Sequence, residues 1–313
     1  MNESLRKEIE NDFKNHDLKV PQFVLAPMVR YSKLAFRLLV AKYGADICYT
    51  PMIFANCFCT NKRCTVAEFT TIPGEKPIVQ FAANNAEEFA YAAELVYNDA
   101  SGVDLNCGCP KKSVTSKKCG SELLKSPELI ADIVKQTRNR ISDNDFIVSC
   151  KIRIGDDLDR TIDMVRQLES AGLSRITVHG RTKHQSSNEP CNYEAIRLIK
   201  DSLNIPVFAN GGVHKYEDLI EVAKITKADG IMVANGLLEN PALFSKQEYP
   251  SLDCIKDFMD FESQHGLIYD LYHQHLIFMM RHMMPKAERL HFNELRDIVS
   301  LKSFLNTYIQ SGG

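Results

Sequence analysis

Gly102-Val103-Asp104-Leu105-Asn106-Cys107-Gly108-Cys109-Pro110 is an apolar run that breaks into a loop. Val103–Asn106 reads as a strand. Gly108 relaxes the steric limits on the backbone beyond it, and Pro110 has no N–H to offer a sheet, so the strand ends here. The thiols therefore fall at the carboxyl end of a strand, where α/β proteins bind ligands. A thiol held there can donate a proton, attack an electrophile or bind a metal. Packing alone also produces such a pair, because free cysteine behaves as a small hydrophobe.

Seven other short apolar or β-branched runs flank this one: Phe23–Ala26, Ile47–Tyr49, Ile78–Ala82, Ile147–Ile152, Arg175–His179, Val207–Asn210 and Ile231–Ala234. Amphipathic segments lie between most of them, at Lys33–Tyr43, Ala86–Tyr97, Pro127–Arg140, Thr161–Ala171, Tyr193–Ser202 and Tyr216–Thr226. Ser126 before Pro127 reads as an N-cap with proline at the first helical position, and Gly172 as a helix stop. The stretch 54–76 shows no clear helix. Eight strand–helix repeats predict an α/β fold, a closed (β/α)₈ TIM barrel. The runner-up, a doubly wound sheet, lacks the Gly-x-Gly-x-x-Gly turn that opens its first helix. Beyond Asp253 only helical patterns occur. The expected division is an N-terminal extension over 1–20, the barrel over 21–245 and a small C-terminal helical domain over 246–313.

The chain has 313 residues, 44% of them hydrophobic, enough to bury a large core. A formal net charge of −2 announces no global basic field, although a local basic face suffices for nucleic acid. Ten cysteines without a secretory leader point to free thiols in a reducing compartment, the cytoplasm and also the nucleus. No run of 18 apolar residues is present, so no membrane-spanning helix is expected. Cys57, Cys59 and Cys64 have the spacing C-x-C-x₄-C with no fitting histidine, and no metal site is expected.

Within a barrel, the polar residues that close the strands share one face. They are Ala26-Pro27-Met28, Gln80, Asn106 with Cys109, Lys151 with Arg153, His179-Gly180-Arg181, Asn210-Gly211-Gly212 and Ala234-Asn235-Gly236. A single Lys or His at a strand end is commonly a structural hydrogen-bonder; seven placements in register are hard to explain as unrelated accidents. The glycines after the last two strands expose backbone N–H groups that can cradle a phosphate, so a phosphorylated cofactor or substrate is expected.

These residues carry a family resemblance. Ala26-Pro27-Met28-Val29-Arg30-Tyr31-Ser32, Val79-Gln80, Asn106 to Pro110, Lys151-Ile152-Arg153, His179-Gly180-Arg181-Thr182 and Asn210-Gly211 together resemble a tRNA-dihydrouridine synthase. Cys48-Tyr49-Thr50-Pro51-Met52 is similar to the eukaryotic subgroup acting at tRNA positions 20a and 20b. The resemblance implies an FMN enzyme in which NADPH reduces the flavin, and the flavin delivers hydride to C6 of a uracil in tRNA. It implies Cys109 as the acid at C5 and Asn106 facing the uracil edge. It also implies Gln80, Lys151 and His179 around the flavin ring, and backbone at Pro27-Met28, Asn210-Gly211-Gly212 and Ala234-Asn235-Gly236 holding ring or phosphate. Two departures stand out. Lys118-Cys119-Gly120-Ser121 replaces a common Gly-Tyr-Gly-Ala, and Asn235 stands where the family commonly has Arg, which removes a bidentate phosphate clamp.

A thiol near the reference pKa of about 8.5 is protonated at neutral pH and can serve as the acid. Lys151 can stabilise negative charge on the reduced ring. Cys107 reads as packing. For substrate, Arg153 and Arg181 stand at strand ends, and Lys111, Lys112, Lys117 and Lys118 crowd the loop after Cys109. The tail adds His273, His275, Arg281, His282, Lys286 and Arg289, with Tyr272 and Phe278 interleaved, as a surface for tRNA phosphates. Met279-Met280 and Met283-Met284 read as helical core. Protein partners are not indicated. Two alternatives stay open: an FMN reductase of free pyrimidines, and a non-catalytic tRNA-binding protein.

Overall fold

Short, mostly fully buried apolar runs with parallel neighbours set the architecture. The computed structural model describes residues 3–312. Its strands are β1 (Gln22–Leu25), β2 (Ile47–Cys48), β3 (Ile53–Phe54), β4 (Ile78–Ala82), β5 (Gly102–Cys107), β6 (Ile147–Arg153), β7 (Arg175–His179), β8 (Val207–Asn210) and β9 (Gly230–Val233). They hydrogen-bond in the order β2-β1-β9-β8-β7-β6-β5-β4-β3. The two ends meet where Tyr49 bridges Ile78 and the amide of Thr50 donates to the carbonyl of Ile78 (3.0 Å). The sheet thus closes into the expected barrel.

The second barrel position departs from expectation. One strand is predicted over Ile47–Tyr49; two pieces, β2 and β3, are found. Pro51 cannot donate to a ladder, and the chain rejoins the sheet only at Ile53, opposite Phe81. The stretch read as irregular holds two short helices, Ala55–Thr60 and Lys62–Glu68, the second capped by Asn61. Both are too short to show a helical period. The other helices match their patterns: Leu34–Lys42, Ala86–Val96, Pro127–Arg140, Leu158–Ser170, Tyr193–Asp201 and Tyr216–Thr226. Ser126 stands at the N-cap of Pro127–Arg140, but its hydroxyl makes no capping bond.

Side-chain parity divides the barrel into two environments. Phe23, Leu25, Val79, Phe81, Val103, Leu105, Cys107, Cys150, Ile152, Ile176, Val178, Ala209 and Ile231 belong to the shell core beneath the helices. The alternate residues point inward, and Val24, Ala26, Tyr49, Ile78, Phe208 and Met232 form a separate apolar plug. The same inward parity carries Gln80, Asp104, Asn106, Ser149, Lys151, Thr177, His179 and Asn210. Every strand-borne polar residue expected at the site lies on this inner face. Lower in the barrel, the Arg175 guanidinium covers the Phe208 ring at 4.5 Å.

Elements outside the barrel brace it. Helix Glu3–Lys14 buries Ile9 and Phe13, with Phe13 against Phe23, and Asp12 pairs with Lys246 and accepts from Tyr216. Its stripe, Leu5, Ile9 and Phe13, is helically spaced. Arg37 is 1% exposed. It forms a two-pronged ion pair with Glu75 and donates to the carbonyls of Ser32 and Thr70. This pair clasps 55–76 to the first barrel helix.

The tail folds as four helices, Leu252–His265, Tyr269–Met279, Lys286–Glu294 and Ile298–Gln310. The first two pack on the barrel through Phe36, Phe258, Tyr272 and His275, whose rings meet at 4.4 to 6.3 Å. Met279, Met280 and Met284 are buried, as core should be. No helix among the described residues is long and apolar enough to cross a membrane.

Candidate active site

Strand ends β4 to β8 bring the predicted residues together in register. Gln80 lies opposite Asp104, Asn106 opposite Lys151, Arg153 opposite His179, and His179 opposite Asn210. The two thiols separate sharply. Cys107 faces the shell core with no exposed surface, and burial pushes its thiol well above the ordinary range. Cys109 is half-buried at the mouth. The loop that carries it is held from both sides. Its amide and that of Gly108 donate to Asn106 Oδ1 (3.0 and 3.3 Å), and its carbonyl accepts from the amide of Ser121 (3.0 Å).

Gly120 lets Ser121 come that close. It adopts φ +65°, and a Cβ there would stand 2.5 Å from the Cys109 carbonyl oxygen. Only glycine fits. The departure Lys118-Cys119-Gly120-Ser121 therefore keeps the one glycine that the thiol loop rests on.

Below the mouth, Asn106 Nδ2 donates to Gln80 Oε1 (2.9 Å), and Gln80 Nε2 donates to Asp104 Oδ2 (2.8 Å). Ser149 Oγ donates to Asp104 Oδ1 (2.7 Å). Burial raises the Asp104 carboxyl to about 6, against the pull of these hydrogen bonds and of Lys151 and Arg175. Gln80 and Asn106 each keep one amide hydrogen with no hydrogen-bond partner among the described residues. Asp104 and Ser149 were not singled out in the sequence. Their signal was available: polar residues at inward positions of strands otherwise apolar.

Lys151 stands half-buried between Asp104 and Cys109, and burial lowers its ammonium to about 8, with Asp104 opposing. His179 Nε2 lies 3.1 Å from an Arg181 guanidinium nitrogen. Arginine only donates, so Nε2 accepts and the proton sits on Nδ1. Burial, with Lys151, Arg153 and Arg181 nearby, drives the imidazole down to about 2, so it is neutral at working pH. Arg181, read from sequence as facing substrate, is 6% exposed, and its Nε donates to the carbonyl of Glu189. That side chain is committed to the protein. Arg153 likewise donates to the carbonyls of Thr182 and Gln185 and holds the loop after β7.

Beside His179, a cleft of about 140 Å³ is lined by Arg181, Asn210, Gly211, Gly212, Ala234 and Asn235. Asn210 Nδ2 ties β8 to the carbonyl of Met232 (2.8 Å). Gly211 and Gly212 have φ of +109° and +78°. A Cβ on Gly211 would meet Cys191 Sγ at 2.7 Å and His179 Nε2 at 2.8 Å. A Cβ on Gly236 would come 2.6 Å from the Val213 carbonyl oxygen. The backbone is thereby bare where a phosphate would be cradled. After the first strand, the Met28 amide donates to the Ser32 hydroxyl (3.0 Å), which fixes the Pro27-Met28 turn.

The residues fit a flavin. The glycine cradle, a cationic Lys151 with no hydrogen-bonded protein partner among the described residues, and the Nδ1–H of His179 are the backbone and side-chain donors that a phosphate-bearing ring requires. A larger cleft of about 530 Å³ lies between Val29–Leu34, Ala67–Thr70 and the turn around Gly266. It contains none of Gln80, Cys109, Lys151 or His179.

The substrate surfaces read from sequence divide. Lys111, Lys112, Lys117 and Lys118 are all exposed, and of these the Lys117 ammonium also lies 4.2 Å over the Phe54 ring. In the tail the reading needs correction. Tyr272, His273 and His275 are buried. His273 Nε2 donates to the carbonyl of Phe292, and His275 Nε2 donates to that of Tyr31. Their aromatic and polar mix serves packing. Arg281, His282 and Lys286 remain exposed.

Parallel barrel, strand-end thiol and glycine cradle define a TIM-barrel protein built around a site at the carboxyl ends of its strands. A family model described as dihydrouridine synthase matches residues 24–305, and the chain belongs to that family. It is 49% identical to an uncharacterised tRNA-dihydrouridine synthase-like protein of Caenorhabditis elegans, over 90% of this chain and 99% of that one. It is 46% identical to a human tRNA-dihydrouridine(20a/20b) synthase NAD(P)+-like protein, over 91% and 90% of the two chains. A Schizosaccharomyces pombe tRNA-dihydrouridine(20a/20b) synthase is 39% identical over 87% and 83%. Among solved structures, histamine dehydrogenase from Rhizobium sp. 4-9 superposes with a TM-score of 0.56 at 10% identity, covering 77% of this chain and 49% of that one. That likeness concerns the fold.

Proposed function

We propose that this chain reduces uridine to 5,6-dihydrouridine in the D-loop of tRNA, at position 20a or 20b, using FMN and NADPH. The observation that carries the reading is the contrast between the two thiols: Cys109 half-exposed at the barrel mouth, and Cys107 sealed in the shell core. The named relatives supply the substrate class, and all ten cysteines are free, in keeping with a cytoplasmic or nuclear protein.

The residues act in three places. Gly211, Gly212, Asn235 and Gly236 would hold the phosphate of FMN, with Ala26, Pro27, Met28 and Ala234 as backbone neighbours of the ring. Lys151 would place its ammonium against the ring, where positive charge favours the reduced anion. His179, kept neutral by burial and turned by the hydrogen bond from Arg181, would offer its Nδ1–H. When bound, FMN would supply the hydride, drawn from NADPH, that C6 of the uracil accepts. Negative charge then builds toward O4, and C5 needs a proton. Cys109 Sγ–H donates it, and the thiolate regains a proton from solvent. Asn106 serves the uracil edge with its unused amide hydrogen while its oxygen holds the thiol loop. Lys111 and Lys112 flank the entry, and the helices over 246–313 add RNA contact around Arg281 and Lys286.

The test is single-turnover oxidation of prereduced protein by tRNA lacking dihydrouridine. Cys109→Ala should keep FMN and its reduction by NADPH, and lose about 10²–10⁴-fold in tRNA reduction, the usual worth of a general acid. Cys107→Ala should react like the parent. A dead Cys107→Ala with an active Cys109→Ala would invert the assignment, and acid release of FAD in place of FMN would correct the cofactor.

A further inference from the structure

Asp104 has no exposed surface and sits two residues before Asn106 on the inner face of β5. Two side chains, Gln80 and Asn106, connect it to the thiol loop in one direction of polarity. Ser149 and Gln80 donate to the carboxylate, Asn106 donates to Gln80, and the loop amides of Gly108 and Cys109 donate to Asn106. An ionised carboxylate only accepts. It therefore obliges Gln80 to turn its NH₂ downward and its oxygen up. That oxygen obliges Asn106 to offer its NH₂, which leaves Asn106 Oδ1 for the loop. A backbone amide only donates, so the upper end imposes the same order. Neither amide can flip without burying two like groups face to face.

We propose that Asp104 is a positioning residue: its carboxylate fixes, through Gln80 and Asn106, the main chain that presents Cys109. The role rests on the reduction proposed above. Asp104 reaches neither the thiol nor the mouth itself, and it acts only through this chain of hydrogen bonds. Around it stand Tyr49 on the barrel's second position, Gln80 on β4, Ser149 and Lys151 on β6 and Arg175 on β7.

The variants that divide the cases are Asp104→Asn and Asp104→Leu. An asparagine can accept from Gln80 with its oxygen and donate to Ser149 Oγ with its nitrogen, so the relay survives without the charge. Leucine ends it. Amide hydrogen exchange in the purified full-length protein is the readout, because it reports local opening residue by residue. In Asp104→Leu the Gly108 and Cys109 amides should exchange at least tenfold faster, while Val103 and Leu105 in the same strand hold their parent rates. In Asp104→Asn all four should stay within about twofold of the parent. Parent-like exchange at Cys109 in Asp104→Leu overturns the proposal, as does equal acceleration in both variants. Should Asp104→Leu fail to fold, the parent still decides. The side-chain amide resonances of Gln80 must move with the titration of the Asp104 carboxyl, and their failure to move overturns the link. If the loop loosens as stated but no variant or parent reduces tRNA, the relay stands and the assigned reaction fails.

Discussion

Arg181 donates to His179 Nε2 at 3.1 Å, and this hydrogen bond fixes the tautomer of an imidazole that burial already holds neutral. Protonation would set an N–H against a guanidinium N–H, in a site already made positive by Lys151 and Arg153. His179 should therefore show no titration between pH 4 and 9. Its ¹⁵N shifts should mark Nδ1 as the protonated nitrogen. Replacing Arg181 with Met should mix the tautomers and raise the imidazole pKa only part of the way, because burial, Lys151 and Arg153 remain. An imidazole in the parent that titrates near 6.5 would remove His179 as a fixed donor.

Lys151 gives a pH dependence whose sign follows from burial. Its folded pKa, about 8, lies below the ordinary 10.5. Between those values the unfolded chain binds more protons, so this group makes stability rise with pH across the window. Compared with Lys151→Met, the parent should gain in melting temperature from pH 8 to 10.5, and the difference should be flat below pH 7. Flavin reduction by NADPH should run the other way. It needs the cation, and in the parent alone it should fall as pH passes the Lys151 pKa of the loaded protein.

Gly120 should tolerate no side chain. Alanine there meets an unfavourable φ of +65° and the Cys109 carbonyl oxygen together. The loop must shift, and a displacement of about 1 Å at a reacting group can cost 10²-fold. Gly120→Ala should retain its flavin and its reduction by NADPH, yet be impaired in tRNA reduction on that scale. Full activity in this variant would show that the hydrogen bond from Ser121 does not position the thiol.

The exposed lysines beside the mouth predict a salt effect. Every phosphate that goes unneutralised lowers the slope of log K against log salt by about 0.7–0.9, so Lys111→Ala, Lys112→Ala and Lys118→Ala combined should flatten it by roughly 2–3. Lys117→Ala should do less, since that ammonium already lies on the Phe54 ring. Flavin content should be unchanged in both. An equal slope in parent and triple variant would make this a solvated loop that RNA does not touch.

What could be read from the chain was whatever lay in short sequence range. Strand ends such as Lys151 and His179 announce themselves because apolar parity breaks at a polar residue and a glycine or loop follows. The split of the second barrel position was hidden because Ile47-Cys48-Tyr49 and Ile53-Phe54 are each too brief to show a period. The tail misled for a different reason. His273 and His275 look like a basic surface, but whether a histidine is solvated depends on Phe36, Phe258 and Phe292, which lie far away in sequence. The Asp104 relay escaped for the same cause, since its links join β4, β5 and β6.

Inward and outward residues alternate on β6, with Lys151 and Arg153 facing the site and Cys150 and Ile152 facing the helices. Such a strand has something close to a reading frame. Deleting one residue between Val148 and Lys151 would send the ammonium into the oily shell and push a branched aliphatic chain into the mouth. Folding and chemistry would fail in one stroke, because the two are written on opposite sides of the same ribbon. Length changes in this lineage should accordingly gather in the segments that lack that frame, such as the connection after His179 and the stretch 55–76. The strands themselves should drift only by exchange of one residue for another.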